Sequence, residues 1–182
     1  MEIRETTIPN CYEITPRILK DSRGCFVKTF HQEVFKQHQL ETTFTEEYYS
    51  ISYQNVLRGL HFQLPPHEHT KMVYCVQGQV MDAVVDLRVG SPTYGKFETF
   101  DLSAEKANII YVPPGLAHGF YVLSETAIML YKVSTVYAAE YDTGIHWHSV
   151  GIPWQALDPI ISERDKSFQD FSNFQSPFIY RN

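Results

Sequence analysis

The chain has 182 residues, 43% hydrophobic and 20% charged, a composition that supports one packed core and argues against disorder. Fifteen Lys and Arg against 21 Asp and Glu leave a net charge of −6, which argues against a nucleic-acid binder built on a broad basic field but allows a pocket with a few arginines. No apolar run approaches the ~18 residues of a membrane helix, the opening MEIRETTIPN has no apolar signal segment, and Cys11, Cys25 and Cys75 lack any spacing for a disulfide framework or a four-cysteine zinc site. These bounds predict a soluble, cytoplasmic, single-domain protein with no membrane or nucleic-acid partner.

Twelve Tyr and twelve Phe, punctuated by 9 Gly and 10 Pro, favour short strands over helices. In chain order, Gln32 to Leu40 predicts about two turns of helix. Met72 to Val76 is a continuous apolar run that Gln77-Gly78 separates from Val80, which predicts a hairpin with positive φ at Gly78. Met81, Ala83, Val85 and Leu87 alternate with Asp82, Val84 and Asp86, the period of a half-buried strand. Further strands are predicted at Thr99 to Leu102, Ile109 to Val112, Phe120 to Leu123 and Ala127 to Ser134, with turn residues between them. In the last of these, Tyr131 shares an inward face with Met129 and Val133, and Lys132 points away. Glu163 to Phe171 predicts a second short helix. From Gly151 onward prolines interrupt the pattern, yet Ile160, Ile161, Phe168, Phe171 and Phe174 keep the segment apolar. Residues 150–182 therefore read as an extension packed on an all-β sandwich or barrel of about residues 20–135, within one domain spanning 1–182.

Three clusters carry possible chemistry: Asp21-Ser22-Arg23-Gly24-Cys25-Phe26, Arg58-Gly59-Leu60-His61-Phe62-Gln63 with Lys71 beyond it, and Pro114-Gly115-Leu116-Ala117-His118-Gly119-Phe120. Singly, each reads as ordinary structure: a solvated turn, a core histidine, a turn before a strand. Together with V-D-L-R-V-G-S-P-T-Y-G-K and I-S-E-R-D, ending at Asp165, their order and spacing from about Ile8 to Asp170 resemble the family of dTDP-4-dehydrorhamnose 3,5-epimerases.

The resemblance implies a cupin-like jelly-roll barrel with short peripheral helices near the C-terminus, a homodimer, and a reaction that uses no metal and no dissociable cofactor. A 4-keto sugar acidifies the hydrogens on C3 and C5. Epimerisation there needs a base on one face, an acid on the other, and a group that holds the enolate oxygen. By resemblance His61 is the base, Asp165 orients it, Tyr131 is the proton donor and Lys71 is the cation near the enolate. Arg23, Arg58 and Arg164 match arginines turned toward the diphosphate, for which guanidinium geometry is suited. Phe26, Gln63 and Tyr137 match residues lining the nucleotide or sugar, and His118 lies close to the site. The implied setting is deoxysugar biosynthesis for a polysaccharide or a glycosylated metabolite.

Three positions depart from the family pattern. Lys28 stands where a glutamate is usual, and Glu46 and Tyr48 replace the residues of a Gln-x-Asn segment. Thymine N3 carries a hydrogen and wants an acceptor, whereas cytosine N3 accepts and a lysine only donates. Lys28 therefore raises a CDP-linked 3,6-dideoxy-4-keto sugar, inverted at C5 alone, as an alternative substrate. Other readings are a ketoisomerase, a sugar-nucleotide binding module, and a metal-dependent cupin that uses His67, His69 and His118. Lys71 stands in the stretch where such a metal site would need a carboxylate.

Overall fold

The computed structural model describes residues 1–181. Strands are numbered in chain order. One sheet has six strands in the order β1 (Glu2–Glu5), β2 (Tyr12–Thr15), β10 (Ile109–Val112), β7 (Lys71–Gln77), β12 (Thr126–Val133) and β5 (Glu46–Tyr53). The other has five: β13 (Asp142–Gly144), β6 (Leu57–Gln63), β11 (Leu116–Val122), β8 (Gln79–Asp86) and β9 (Phe97–Ser103). Both are antiparallel throughout, and they face each other as a cupin-like jelly roll. A separate hairpin, β3 (Ile18–Asp21) with β4 (Gly24–Val27), stands outside both sheets. The sheets reach beyond residues 20–135, taking in β1, β2 and β13.

The main core lies between the sheets, where Val73, Cys75, Ile110 and Met129 of the first meet Val80, Val84, Phe100, Leu102, Phe120 and Val122 of the second. The alternation along β12 holds, with Ala127, Met129, Tyr131 and Val133 buried. On β8 both faces are buried, not one. Val84, on the face that alternation alone would turn to solvent, packs between the sheets, while Met81, Ala83 and Val85 on the other face are covered by Ile152, Trp154 and Phe178 of the C-terminal extension.

The predicted hairpin at Gly78 is a corner instead. Gly78 has φ +81, but β7 pairs with β10 and β12 while β8 pairs with β11 and β9, so the chain passes from one sheet to the other there. A Cβ on Gly78 would come to 2.1 Å from the Thr126 carbonyl oxygen, so only glycine fits this corner.

The helices are shorter than their sequence windows. α1 spans Gln32–Gln37 and ends where Gln39, at φ +58, lets the Leu40 N–H donate to the Phe35 carbonyl at 2.9 Å. α2 is one turn, Glu163–Lys166, with the Ser162 hydroxyl accepting from the Asp165 N–H as N-cap. A 3₁₀ turn follows at Phe171–Asn173. Among the described residues no helix is long and apolar enough to cross a membrane.

Candidate active site

A cavity of about 390 Å³ opens between the sheets. The six-stranded sheet supplies Glu46, Tyr48 and Ser50 from β5, Lys71 from β7 and Tyr131 from β12. The five-stranded sheet supplies Arg58, His61 and Gln63 from β6, His118 from β11 and Asp142 from β13. His69 and Tyr137 close it from the loops.

His61 and Asp165 are joined at 2.9 Å through Nε2 and Oδ1. Asp165 comes from α2, and its Oδ2 accepts from the Gly59 N–H at 3.1 Å. Burial pushes the Asp165 carboxyl up, but the hydrogen bond and charge of His61 and the Gly59 N–H outweigh it and hold the group below its ordinary range. An ionised Asp165 only accepts, so His61 Nε2–H donates to it. Nδ1, with no protein partner among the described residues, is left with the free lone pair.

Tyr131 stands on the opposite sheet. Its hydroxyl lies 3.3 Å from Ser50 Oγ, and its ring stacks on Tyr48, its register partner on β5, at 4.9 Å and 19°. Burial raises the Tyr131 phenol well above its ordinary value and that of Tyr48 to about 12, so both hold their protons at neutral pH. Lys71 is buried at the start of β7. Burial lowers its ammonium to about 8 against the pull of Asp142 and Asp82, which leaves it largely protonated at neutral pH.

His118 lines the cavity but is bonded to a carboxylate inside the barrel. Its Nε2 is 2.7 Å from Asp82 Oδ2, and both side chains are buried. Burial disfavours the charged form of each, lowering the imidazole and raising the carboxyl. Gln63 is a brace: its Nε2 donates to the His67 carbonyl at 2.8 Å and its Oε1 accepts from the Ala138 N–H at 2.7 Å, tying two loops together. Glu46 accepts from the Tyr137 N–H at 3.1 Å, and Arg58 Nε donates to Ser52 Oγ at 2.9 Å, holding the guanidinium at the rim.

Four of the expected residues lie elsewhere. Arg23 is paired with its neighbour Asp21 at 2.6 Å on the exposed β3–β4 turn, while Phe26 and Lys28 border a separate cleft with Arg17 and His31. Arg164 donates to Asp142 Oδ2 at 2.6 Å and lies outside the cavity lining. The sequence reading named His69 only as a possible metal ligand and missed Ser50, Asp82 and Asp142 as site groups. Only Ser50 had a local signal, the alternation of small residues on β5.

Among the described residues no three His, Cys, Asp or Glu side chains are grouped to hold one metal ion. His67 packs on Tyr141, His69 Nδ1 is near Gln63 and Thr135, and His118 is held by Asp82. Burial and Lys71 together drive His69 down to about 3, so it is neutral.

Comparison with known proteins agrees with this architecture. Residues 5–173 match the profile of the dTDP-4-dehydrorhamnose 3,5-epimerase family. The enzyme of that name from Shigella flexneri is 39% identical over 174 residues, covering 94% of this chain and 96% of its own; that from Methanothermobacter thermautotrophicus is 38% identical, covering 91% of each. The crystal structure of the dTDP-6-deoxy-D-glucose-3,5-epimerase from Legionella pneumophila, in complex with dTDP-4-keto-L-rhamnose, superposes with a TM-score of 0.94 at 32% identity, covering 100% of this chain and 99% of its own. With the family profile spanning most of its length, the chain belongs to the dTDP-4-dehydrorhamnose 3,5-epimerases and is an isomerase acting on nucleotide sugars.

Proposed function

We propose that this protein inverts C3 and C5 of a dTDP-linked 4-keto-6-deoxyhexose by proton abstraction and return through an enolate, in deoxysugar biosynthesis. The observation that carries the reading is the pairing of a carboxylate-held imidazole on one sheet with a buried phenol on the other, across one cavity. His61 Nδ1 takes the proton from the carbon beside the carbonyl, and the C–H electron pair moves toward O4. The Lys71 ammonium stabilises the developing oxyanion in a site sheltered from water. Tyr131 then gives its hydroxyl proton to the opposite face of the carbon, the electron pair returns from the enolate, and the phenolate regains a proton before the next turnover. The high affinity of a buried phenol for its proton keeps Tyr131 loaded until the enolate carbon takes it.

The nucleotide in this reading is dTDP. The relatives carry dTDP in their names, and this supports dTDP over the CDP-linked alternative raised by Lys28.

The protein acts as a homodimer in the same proposal. β5 is the edge of the six-stranded sheet, and it exposes Tyr49, Ile51 and Tyr53 by 65%, 52% and 71% on the face turned away from the cavity. Tyr48 and Ser50 of the same strand line the cavity, so a second copy docked on this edge sits beside the cavity mouth. Arg23, Phe26 and Lys28, unused by their own chain's cavity, then serve the nucleotide in the other copy's.

NMR of dTDP-4-keto-6-deoxyglucose with the enzyme in deuterated water tests the reaction. Deuterium at C3 and C5 with formation of the L-sugar is the expected result. No exchange at either carbon overturns the proposal, and exchange only with a CDP-linked substrate overturns the choice of nucleotide.

A further inference from the structure

Asp165 is carried on a single helical turn, too short to be held by its own hydrogen bonds. Its placement against His61 therefore depends on what seats the surrounding segment. Three successive alternate residues on and just after β13 do so. Asp142 accepts from Arg164, Gly144 receives the ring of Phe168, and the His146 N–H donates to the Gln169 carbonyl at 2.8 Å.

The middle contact is the tightest. Gly144 is the register partner of His61. A Cβ on Gly144 would lie 2.5 Å from Phe168 Cε2, 2.7 Å from Cδ2 and 2.5 Å from the Leu60 carbonyl oxygen, so the ring fills a notch that exists because residue 144 has no side chain. From that notch Phe168 meets the His61 imidazole at 5.8 Å and 77°, and the Arg164 guanidinium covers it at 5.3 Å. Phe168 belongs to none of the three apolar clusters. It meets the notch, the imidazole and the arginine that flanks Asp165.

We infer that Phe168, seated in the Gly144 notch, is a positioning residue that fixes Asp165 against His61 Nε2 and keeps water off that hydrogen bond. The inference rests on the proposed role of His61 as base. A hydrogen bond weakens steeply as it bends, and a low-dielectric surround strengthens it, so a seal on its flank affects both. Without the ring, α2 loses its central anchor and Asp165 shifts relative to the imidazole.

The test compares Phe168→Ala and Phe168→Leu with the wild type by two measurements. The first is proton NMR of the imidazole Nε2–H bonded to Asp165, assigned by its disappearance in Asp165→Asn. A resolved downfield resonance is expected in the wild type, lost or exchanging rapidly with water in Phe168→Ala, and kept in Phe168→Leu, which still fills the notch. The second is turnover, where Phe168→Ala is expected to lower kcat by about 10- to 100-fold with KM unchanged, the scale of a small misplacement of a catalytic group. Phe168→Leu is expected to recover most of that loss. A resonance and a kcat in Phe168→Ala equal to the wild type overturn the inference. So does a Phe168→Leu variant that folds but is as impaired as Phe168→Ala. A wild type that exchanges no substrate proton overturns the epimerase reading, while the resonance still decides the role of Phe168.

Discussion

His61 and His118 stand opposite each other on neighbouring strands, and each is bonded to its own aspartate: His61 to Asp165 from the C-terminal extension, His118 to Asp82 from inside the barrel. The two pairs differ in what surrounds them. His61 is partly open to the cavity, and its carboxylate stays ionised through its hydrogen bonds. The His118 pair is sealed, and Asp82 Oδ1 has no hydrogen-bond partner. In the proposed mechanism the first pair exchanges a proton with a ligand, and the second braces the barrel beside it.

That division makes opposite predictions for the two aspartates. Asp82→Ala leaves a buried imidazole without its partner, and it should cost about 1–3 kcal/mol of stability, read as a lowered urea midpoint. Asp165 is carried on the one-turn α2 outside both sheets, so the main effect of Asp165→Ala should be on kcat, by about 100-fold or more on the scale of general-base catalysis. Equal loss of kcat with no loss of stability in Asp82→Ala would place His118 in the chemistry instead.

In the proposed mechanism Lys71 should set the alkaline side of the activity. The ammonium must be protonated to hold an enolate, and burial brings its folded value to about 8. In kcat/KM, which reports the free enzyme, activity should therefore fall as pH rises through about 8, and Lys71→Met should remove that limb and cost roughly 100- to 1000-fold in kcat. The sign for stability is the reverse. Below pH 8 the folded and unfolded chains both hold this proton, and burying it carries a constant penalty. Between about 8 and the ordinary lysine value of 10.5 the unfolded chain binds more protons than the folded one, so this group makes stability rise with pH. Lys71→Met should accordingly be more heat-stable than the wild type at pH 7 and lose that advantage by pH 10.

Tyr131 and His61 face the cavity from opposite sheets, so if they act as the proposed donor and base, removing the donor should leave the base working. Tyr131→Phe keeps the ring stack with Tyr48 and loses only the hydroxyl bonded to Ser50. Deuterium from solvent should still enter the carbon that His61 deprotonates, returned by the same imidazole to the same face, while inverted product falls below detection by NMR. Inversion at the wild-type rate in Tyr131→Phe would require another donor on that face.

Much of this arrangement was legible in the chain, and what was not shares a physical reason. Tyr131 sits on a period-two face, where local spacing dictates direction, while His61 and Lys71 are placed by the resemblance to the family. Asp142 and the Gly144 notch acquire meaning only when β13 pairs with β6, a contact about 80 residues apart in sequence that no local pattern encodes. The Gly78 corner shows the same limit. A glycine with positive φ fits a hairpin and a sheet-to-sheet corner equally, and the outcome is decided by the strands that β7 and β8 find elsewhere. Arg23, Phe26 and Lys28 show it most sharply, since motif order placed them with the nucleotide and the fold carries them away from their own chain's cavity.

Those three residues give the proposed dimer its own prediction. If the β3–β4 hairpin of one copy serves the cavity of the other, a chain lacking the base and a chain lacking the hairpin arginine should complement each other. His61→Ala has a dead cavity but an intact hairpin; Arg23→Ala has the reverse. After mixing under conditions that exchange subunits, half of the dimers pair one of each, and in each of these one of two cavities has both His61 and a partner hairpin with Arg23. Activity should then rise from near zero in either variant to about a quarter of the wild type, as two-fold symmetry requires. Ile51→Glu in the edge strand should abolish the recovery by separating the copies, seen as a halved mass in light scattering. No recovery from a mixture shown to contain mixed dimers would mean that Arg23 does not serve the other copy's cavity.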